Sequence, residues 1–244
     1  MKLFLSIALL FLLFQLNAQQ YSLKSLDGNR VMIQLADTMR GRVLALSSST
    51  DAIFLDGYVG SIQAVHLLKE KFLEISYDVR GGPGLELRNT IILVVSKGRI
   101  IPSLIINSYS HWFLPDRKNT QTTDEENFYR VRLKISGAGE RSYKLTTAVY
   151  NQRSSKSNPK GNYIRNRLIV LKFDTSRHIF YNSKIKLAKT ISIINPKNFN
   201  YNPNKLDVCK NVQVINLGEH VYYFINGEWS HEGPNKDFYE DYYK

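Results

Sequence analysis

The chain has 244 residues, with 33 Lys and Arg against 21 Asp and Glu, a formal charge of +12 and a pI near 9.6. A single Cys excludes an intramolecular disulfide framework, and fourteen Gly with seven Pro leave no long low-complexity linker. This length suits one all-β domain or two smaller ones, and it can bury a sizeable core without covalent staples.

The N-terminus differs from everything after it. Lys2 precedes an apolar run from Leu3 to Phe14, followed by Gln15, Leu16, Asn17 and Ala18. A positive start, an apolar stretch and a small residue at the end form the three-part layout of a secretory signal. The apolar run is about a dozen residues, short of the roughly 20 that a membrane-spanning helix needs. Residues 1–18 are therefore expected to be a signal peptide cleaved after Ala18. The protein is expected to work outside the cytoplasm, in the periplasm, at an outer-membrane surface or beyond the cell. The rest reads as one β-rich domain over residues 19–236, with a lobe boundary near 115–127 as the alternative, and an acidic, Tyr-rich tail at 237–244.

Strand signals follow in chain order. Runs at 31–35, 43–46 and 52–55 are short and apolar, while residues 61–71 fit a helix or a strand equally. From Leu73 to Arg80 every odd position is apolar or aromatic and every even one polar. Such a period of two turns one face to a core and the other to water. Residues 91–95, 100–106 and 168–173 are continuous apolar runs and read as strands buried on both faces. The same alternation returns from Tyr129 to Ile135, with Arg130, Arg132 and Lys134 on the polar face. Further strands are expected at 185–194, 212–217 and 221–225. The fold class expected is all-β, with ten to fourteen mostly antiparallel strands in a sandwich, barrel or propeller-like arrangement and little helix.

Turn chemistry links these runs. Asn226-Gly227 suits a type I′ hairpin turn, as does Lys97-Gly98. Asp174 to Arg177 reads as another turn. With Gly82-Pro83-Gly84 as a loop, Arg80 faces Glu86 and Asp78 faces Arg88, two opposite-charge pairs. With Gly137-Ala138-Gly139 as a three-residue loop, Leu133 faces Tyr143, Val131 faces Leu145, and Arg132 falls opposite Lys144. Residues 111–127 read as a long connection, and the Asn-rich stretches 151–162 and 195–204 as loops.

Catalytic and metal motifs are weak. None of His66, His111, His178, His220 and His231 has a second His or Cys at ligand spacing, so no metal site is expected. Asp124-Glu125-Glu126 lacks the spaced pattern of a calcium loop and reads as a solvated acidic turn. Glu74, Asp78 and Glu86 share a polar face, but arginine partners for two of them suit structure better than acid catalysis. No Gly-x-Ser-x-Gly elbow or phosphate loop occurs, and Cys209 beside Val208 reads as a small buried residue. No catalytic residue, cofactor or named family emerges from these residues.

The basic cluster is the most informative feature. Arg130, Arg132 and Lys134 on one strand, joined by Lys144 on the next, crowd like charge onto a sheet face. Such crowding costs stability unless an anionic partner or acidic side chains offset it. Arg holds phosphate, sulfate or carboxylate through paired hydrogen bonds. The bland account is a solvated edge where charge discourages aggregation. Trp112, between His111 and Phe113, is a candidate aromatic contact for a sugar ring. For an exported basic protein the expected partner is an anionic glycan, a lipid surface or an acidic protein rather than nucleic acid, and the mature chain is expected to lack a transmembrane span. A secreted hydrolase and a structural envelope subunit are the rival readings.

Overall fold

A computed structural model describes residues 19–38, 41–46, 51–55, 57–115, 123–181, 213–217, 220–225 and 228–232. The proposed signal at 1–18, the strand at 185–194, the stretch 195–204, Cys209, the Asn226-Gly227 turn and the tail at 237–244 lie outside the described residues. Within them the protein is all-β: fifteen strands, two short 3-10 turns and no α-helix. No helix there is long and apolar enough to cross a membrane.

The strands are β1 (Gln19–Lys24), β2 (Arg30–Thr38), β3 (Gly41–Leu46), β4 (Ala52–Phe54), β5 (Tyr58–Leu68), β6 (Phe72–Val79), β7 (Leu85–Ser96), β8 (Arg99–Pro115), β9 (Thr123–Ser136), β10 (Lys144–Ser155), β11 (Tyr163–Asp174), β12 (Ile179–Tyr181), β13 (Gln213–Asn216), β14 (Val221–Ile225) and β15 (Glu228–Glu232). They form a four-stranded sheet in the order β1-β2-β3-β4, an eight-stranded sheet running β5 to β12 in sequence order, and a three-stranded sheet β13-β14-β15. Within each sheet the strands lie in chain order, as expected for hairpin-linked antiparallel strands, and the chain changes sheet between β4 and β5 and between β12 and β13. The chain divides into two compact units, the first ending at Ser103 and the second beginning at Leu104.

In the first unit the odd positions of β6, Leu73, Ile75 and Tyr77, are buried, and Glu74, Ser76 and Asp78 are only partly so. The sequence rhythm at 73–80 is thus borne out. Residues 61–71, ambiguous in sequence, are mostly in β5, which pairs with β6. β7 follows β6 in the register that charge pairing predicts: Asp78 lies opposite Arg88, with Arg88 Nε donating to Asp78 Oδ1 at 3.0 Å. The run Ile91, Ile92, Leu93, Val94 and Val95 is buried on both faces. Lys97 and Gly98 connect β7 to β8 at φ angles of 50° and 69°. That pair of left-handed residues is what a type I′ turn requires, and glycine adopts its half without strain. The end of β1 is tied in by Lys24 N–H donating to Glu70 O at 2.7 Å and Leu26 N–H to Val95 O at 2.8 Å.

In the second unit the odd positions of β9 and β10 face a core. Tyr129, Val131, Ile135, Leu145 and Val149 are buried there, with Leu171, Phe173 and Phe180 from β11 and β12. Burial of side chains of this size stabilises by roughly 1.5–3 kcal/mol each. Ile215, Leu217, Tyr222 and Phe224 are also buried, and the His220 ring meets Tyr129 edge-on at 4.5 Å. Tyr222 Oη accepts the Asn107 N–H at 2.8 Å and donates to the Asn107 carbonyl at 3.3 Å, which joins β14 to β8.

Several expectations need correction. The loop between β9 and β10 is longer than three residues. Gly137 to Tyr143 make the connection, with a 3-10 turn at Glu140–Ser142. Ser142 Oγ accepts the Ala138 and Gly139 N–H groups and donates to the Gly139 carbonyl. Gly137 sits at φ 102°, where a Cβ would lie 2.4 Å from the Ser142 carbonyl oxygen. The register therefore shifts by four: Leu133 faces Thr147, Val131 faces Val149, and Arg132 faces Ala148 rather than Lys144. An even shift keeps every side chain on its expected face.

Residues 111–115 and 123–127 continue β8 and β9, so the long connection is mostly strand. Likewise β10 extends through Ser155, so 151–155 is strand and the loop is 156–162. Finally, 168–173 is not buried on both faces. Leu171 and Phe173 are, while Leu168 and Val170 stand 72% and 48% exposed.

Candidate functional site

Consider the even-numbered face of β9, β10 and β11, opposite the core. The two ladders set up rows across three strands: Lys134, Thr146 and Val170; then Arg132, Ala148 and Leu168; then Arg130, Tyr150 and Asn166. Each member sits at the same height because pairing fixes it there, and neighbouring strands lie about 4.8 Å apart. Arg130, Arg132, Lys134 and Lys144 are all exposed on this face. Three of the four occupy successive even-numbered positions of β9. Lys144 lies two rows beyond Arg132's neighbourhood, opposite Ser136 on one side and Lys172 on the other.

This face carries a cavity of about 770 Å³ lined by Phe128, Arg130, Arg132, Ala148, Tyr150 and Leu168, among others. Small-molecule sites commonly span ~300–1,000 Å³. Ala148 makes the floor low, since its side chain is a single methyl between longer neighbours. At one end, rings gather: Phe128 meets Tyr109 at 5.5 Å and Tyr150 at 5.7 Å, both edge-on. Tyr150 Oη donates to Gln152 Oε1, which holds the ring. Glu126, also at the rim, is engaged by His111 Nε2 at 2.8 Å. No ion pair to Arg130 or Arg132 occurs among the described residues. Beside Glu126, Glu125 is committed to another partner: its Oε1 accepts from Arg153 Nη2 at 2.6 Å and Nε at 3.0 Å.

Trp112 does not join this face. It pairs with Asn127, whereas its neighbours His111 and Phe113 pair with Phe128 and Glu126. Strand alternation sends Trp112 to the opposite side from the basic row. The aromatic residues that line the cavity beside the arginines are Phe128 and Tyr150. Both lie in the even-numbered phase of their strands, so extending the alternation of 129–135 one residue back would have found Phe128. Arg165 and Arg167 fall in the odd phase of β11, and the Arg165 guanidinium lies 4.4 Å from the Tyr163 ring centre. They are not part of the basic row, although Arg167 is among the residues that line the cavity.

The remaining candidates for chemistry do not converge. Asp78 is held by Arg88, and Glu74 lies with Oε2 3.7 Å from His66 Nδ1. Burial pushes the Glu74 carboxyl up from its ordinary range, with His66 opposing. Asp124, Glu125 and Glu126 lie on β9 rather than in a turn. Among the described residues no three His, Cys, Asp or Glu cluster as metal ligands would. No protein-family model matches the chain, and no curated protein or solved structure matches it at a significant level.

Proposed function

We propose that this is an exported, non-catalytic binding protein that takes an anionic component of the cell envelope on the even face of β9 to β11. The carrying observation is the pair Arg130 and Arg132, exposed two residues apart over a cavity and without an ion-pair partner among the described residues. Two guanidinium groups so placed repel each other, and a phosphate, sulfate or carboxylate group bridging them would relieve that cost. The apolar run Leu3 to Phe14 after Lys2 supports export.

The test is retention on an immobilised anionic polysaccharide. Arg130→Glu with Arg132→Glu is expected to weaken retention by on the order of tenfold or more. The reversal Lys97→Glu with Arg99→Glu, in the β7–β8 turn, changes net charge equally and is expected to leave most retention intact. Equal loss in both variants, or no loss in the first, overturns the reading.

A further inference from the structure

The face that carries the arginines is not uniformly basic. Across the three strands its chemistry is graded. β9 contributes Arg130, Arg132 and Lys134, β10 contributes the short side chains of Thr146 and Ala148 with Tyr150 at one end, and β11 contributes Leu168 and Val170 with the polar Asn166 opposite Arg130. Leu168 is 72% exposed and Val170 48%, and Ile164 further along the same face is 64% exposed. Large apolar side chains aligned in the open are costly to leave wet, and aligned ones mark a surface that something covers. The result is a trough along β10 with a cationic wall on one side and, opposite Arg132 and Lys134, an apolar wall of Leu168 and Val170 on the other, with Asn166 between Leu168 and Ile164. The walls stand about 10 Å apart, two inter-strand spacings. From Thr146 to Tyr150 the trough runs about 14 Å, four residues of extended strand.

From this geometry we infer that the site takes a single anionic amphiphile: a phosphate- or carboxylate-headed molecule with one acyl chain. The head group bridges Arg130 and Arg132, and the chain lies along Leu168 and Val170 over the methyl of Ala148. The inference rests on the anionic-ligand reading above and narrows it. A hydrophilic glycan would satisfy the guanidinium groups and leave the β11 wall uncovered. A flat bilayer would meet the wall tops and leave the floor at Ala148 empty.

The experiment is calorimetric titration of the full chain with dodecyl phosphate below its micelle concentration, beside inorganic phosphate and dodecyl maltoside. Dodecyl phosphate is expected to bind at least about tenfold tighter than either control, since burial of even two methylenes contributes that factor. Ala148→Leu, which raises an exposed floor position without touching the core, is expected to weaken dodecyl phosphate by about tenfold. Circular dichroism of that variant should match the parent.

Each other outcome is decisive. Equal affinity for inorganic and dodecyl phosphate overturns the amphiphile inference and leaves the anionic reading standing, with a glycan as occupant. Equal affinity for dodecyl phosphate and the maltoside removes both readings. Binding to anionic vesicles without binding to the monomeric amphiphile overturns the inference in favour of a bilayer surface. Unchanged affinity in Ala148→Leu places the chain elsewhere and overturns it as well.

Discussion

Two apolar runs in this chain look interchangeable as text, Ile91 to Val95 in β7 and Leu168 to Phe173 in β11, yet they meet different surroundings. All five side chains of the first are buried. In the second, Leu171 and Phe173 are buried and Leu168 and Val170 stand in the open. A continuous apolar run says that neither face needs water. It does not say that both faces receive cover. Cover comes from elements distant in sequence, and so the same composition yields a core strand in one place and half of a binding trough in another.

The sharpest way to break this comparison is truncation. Leu93→Ala should cost about 2–5 kcal/mol in urea unfolding, the usual loss for a buried Leu with its cavity. Leu168→Ala should change stability by no more than about 0.5 kcal/mol. A large loss at Leu168 would mean that the β11 face is covered in solution, and the trough would not exist.

The carboxylates beside each run extend the contrast. Asp174 closes β11, and there burial alone would raise its carboxyl. Hydrogen bonds from the Ser176 hydroxyl and from the Arg177 and Ser176 N–H groups, with the Arg177 charge, outweigh it and hold the group below its usual range. A depressed folded pKa contributes stability that is present above the unfolded pKa and lost as pH falls through the folded one. Asp174→Asn should therefore cost about 1–2 kcal/mol near neutral pH, with the difference from the parent shrinking in acid.

Glu74 pairs with Ile92 of the buried run and behaves in the opposite sense. Desolvation raises its carboxyl, opposed by the His66 charge and hydrogen bond. A raised folded pKa means that stability is lost as pH climbs from the ordinary Glu range through the raised value. Glu74→Gln should flatten that decline and gain about 0.5 kcal/mol at neutral pH, the smallest of these effects. Chemical denaturation across a pH series reads both variants, and a loss at Glu74→Gln would show that the His66 contact dominates.

Much of the fold was legible in the amino-acid sequence because its strands are local hairpins with one wet face. The alternation from Leu73 and from Tyr129 sorted side chains correctly, and opposite charges at Asp78 and Arg88 pinned one register. The β9–β10 register was not legible. It depends on the Ser142 hydroxyl organising a 3-10 turn, and no hydrophobic pattern distinguishes a shift of four from none. For the candidate site, the basic row was visible as alternating Arg and Lys. Its apolar wall was not, because Leu168 and Val170 carry no mark in the sequence that separates them from Leu171 and Phe173. Residues 111–115 read in sequence as part of a connection, whereas they continue β8, and it is that strand's alternation which decides the side of the sheet for Trp112.

The bond between Tyr222 and Asn107 spans 115 positions of chain, whereas the ladder from β8 to β12 pairs strands that follow one another in the chain. Loop-closure entropy makes the local hairpins quick to zip and the long reach slow, so β14 should dock onto an already assembled ladder. A nascent chain would then carry its β9–β10 hairpin folded before its last strands emerge. Until they arrive, Tyr129 and its neighbours on the core side stay exposed to water, and that interval is when the molecule is most prone to aggregate.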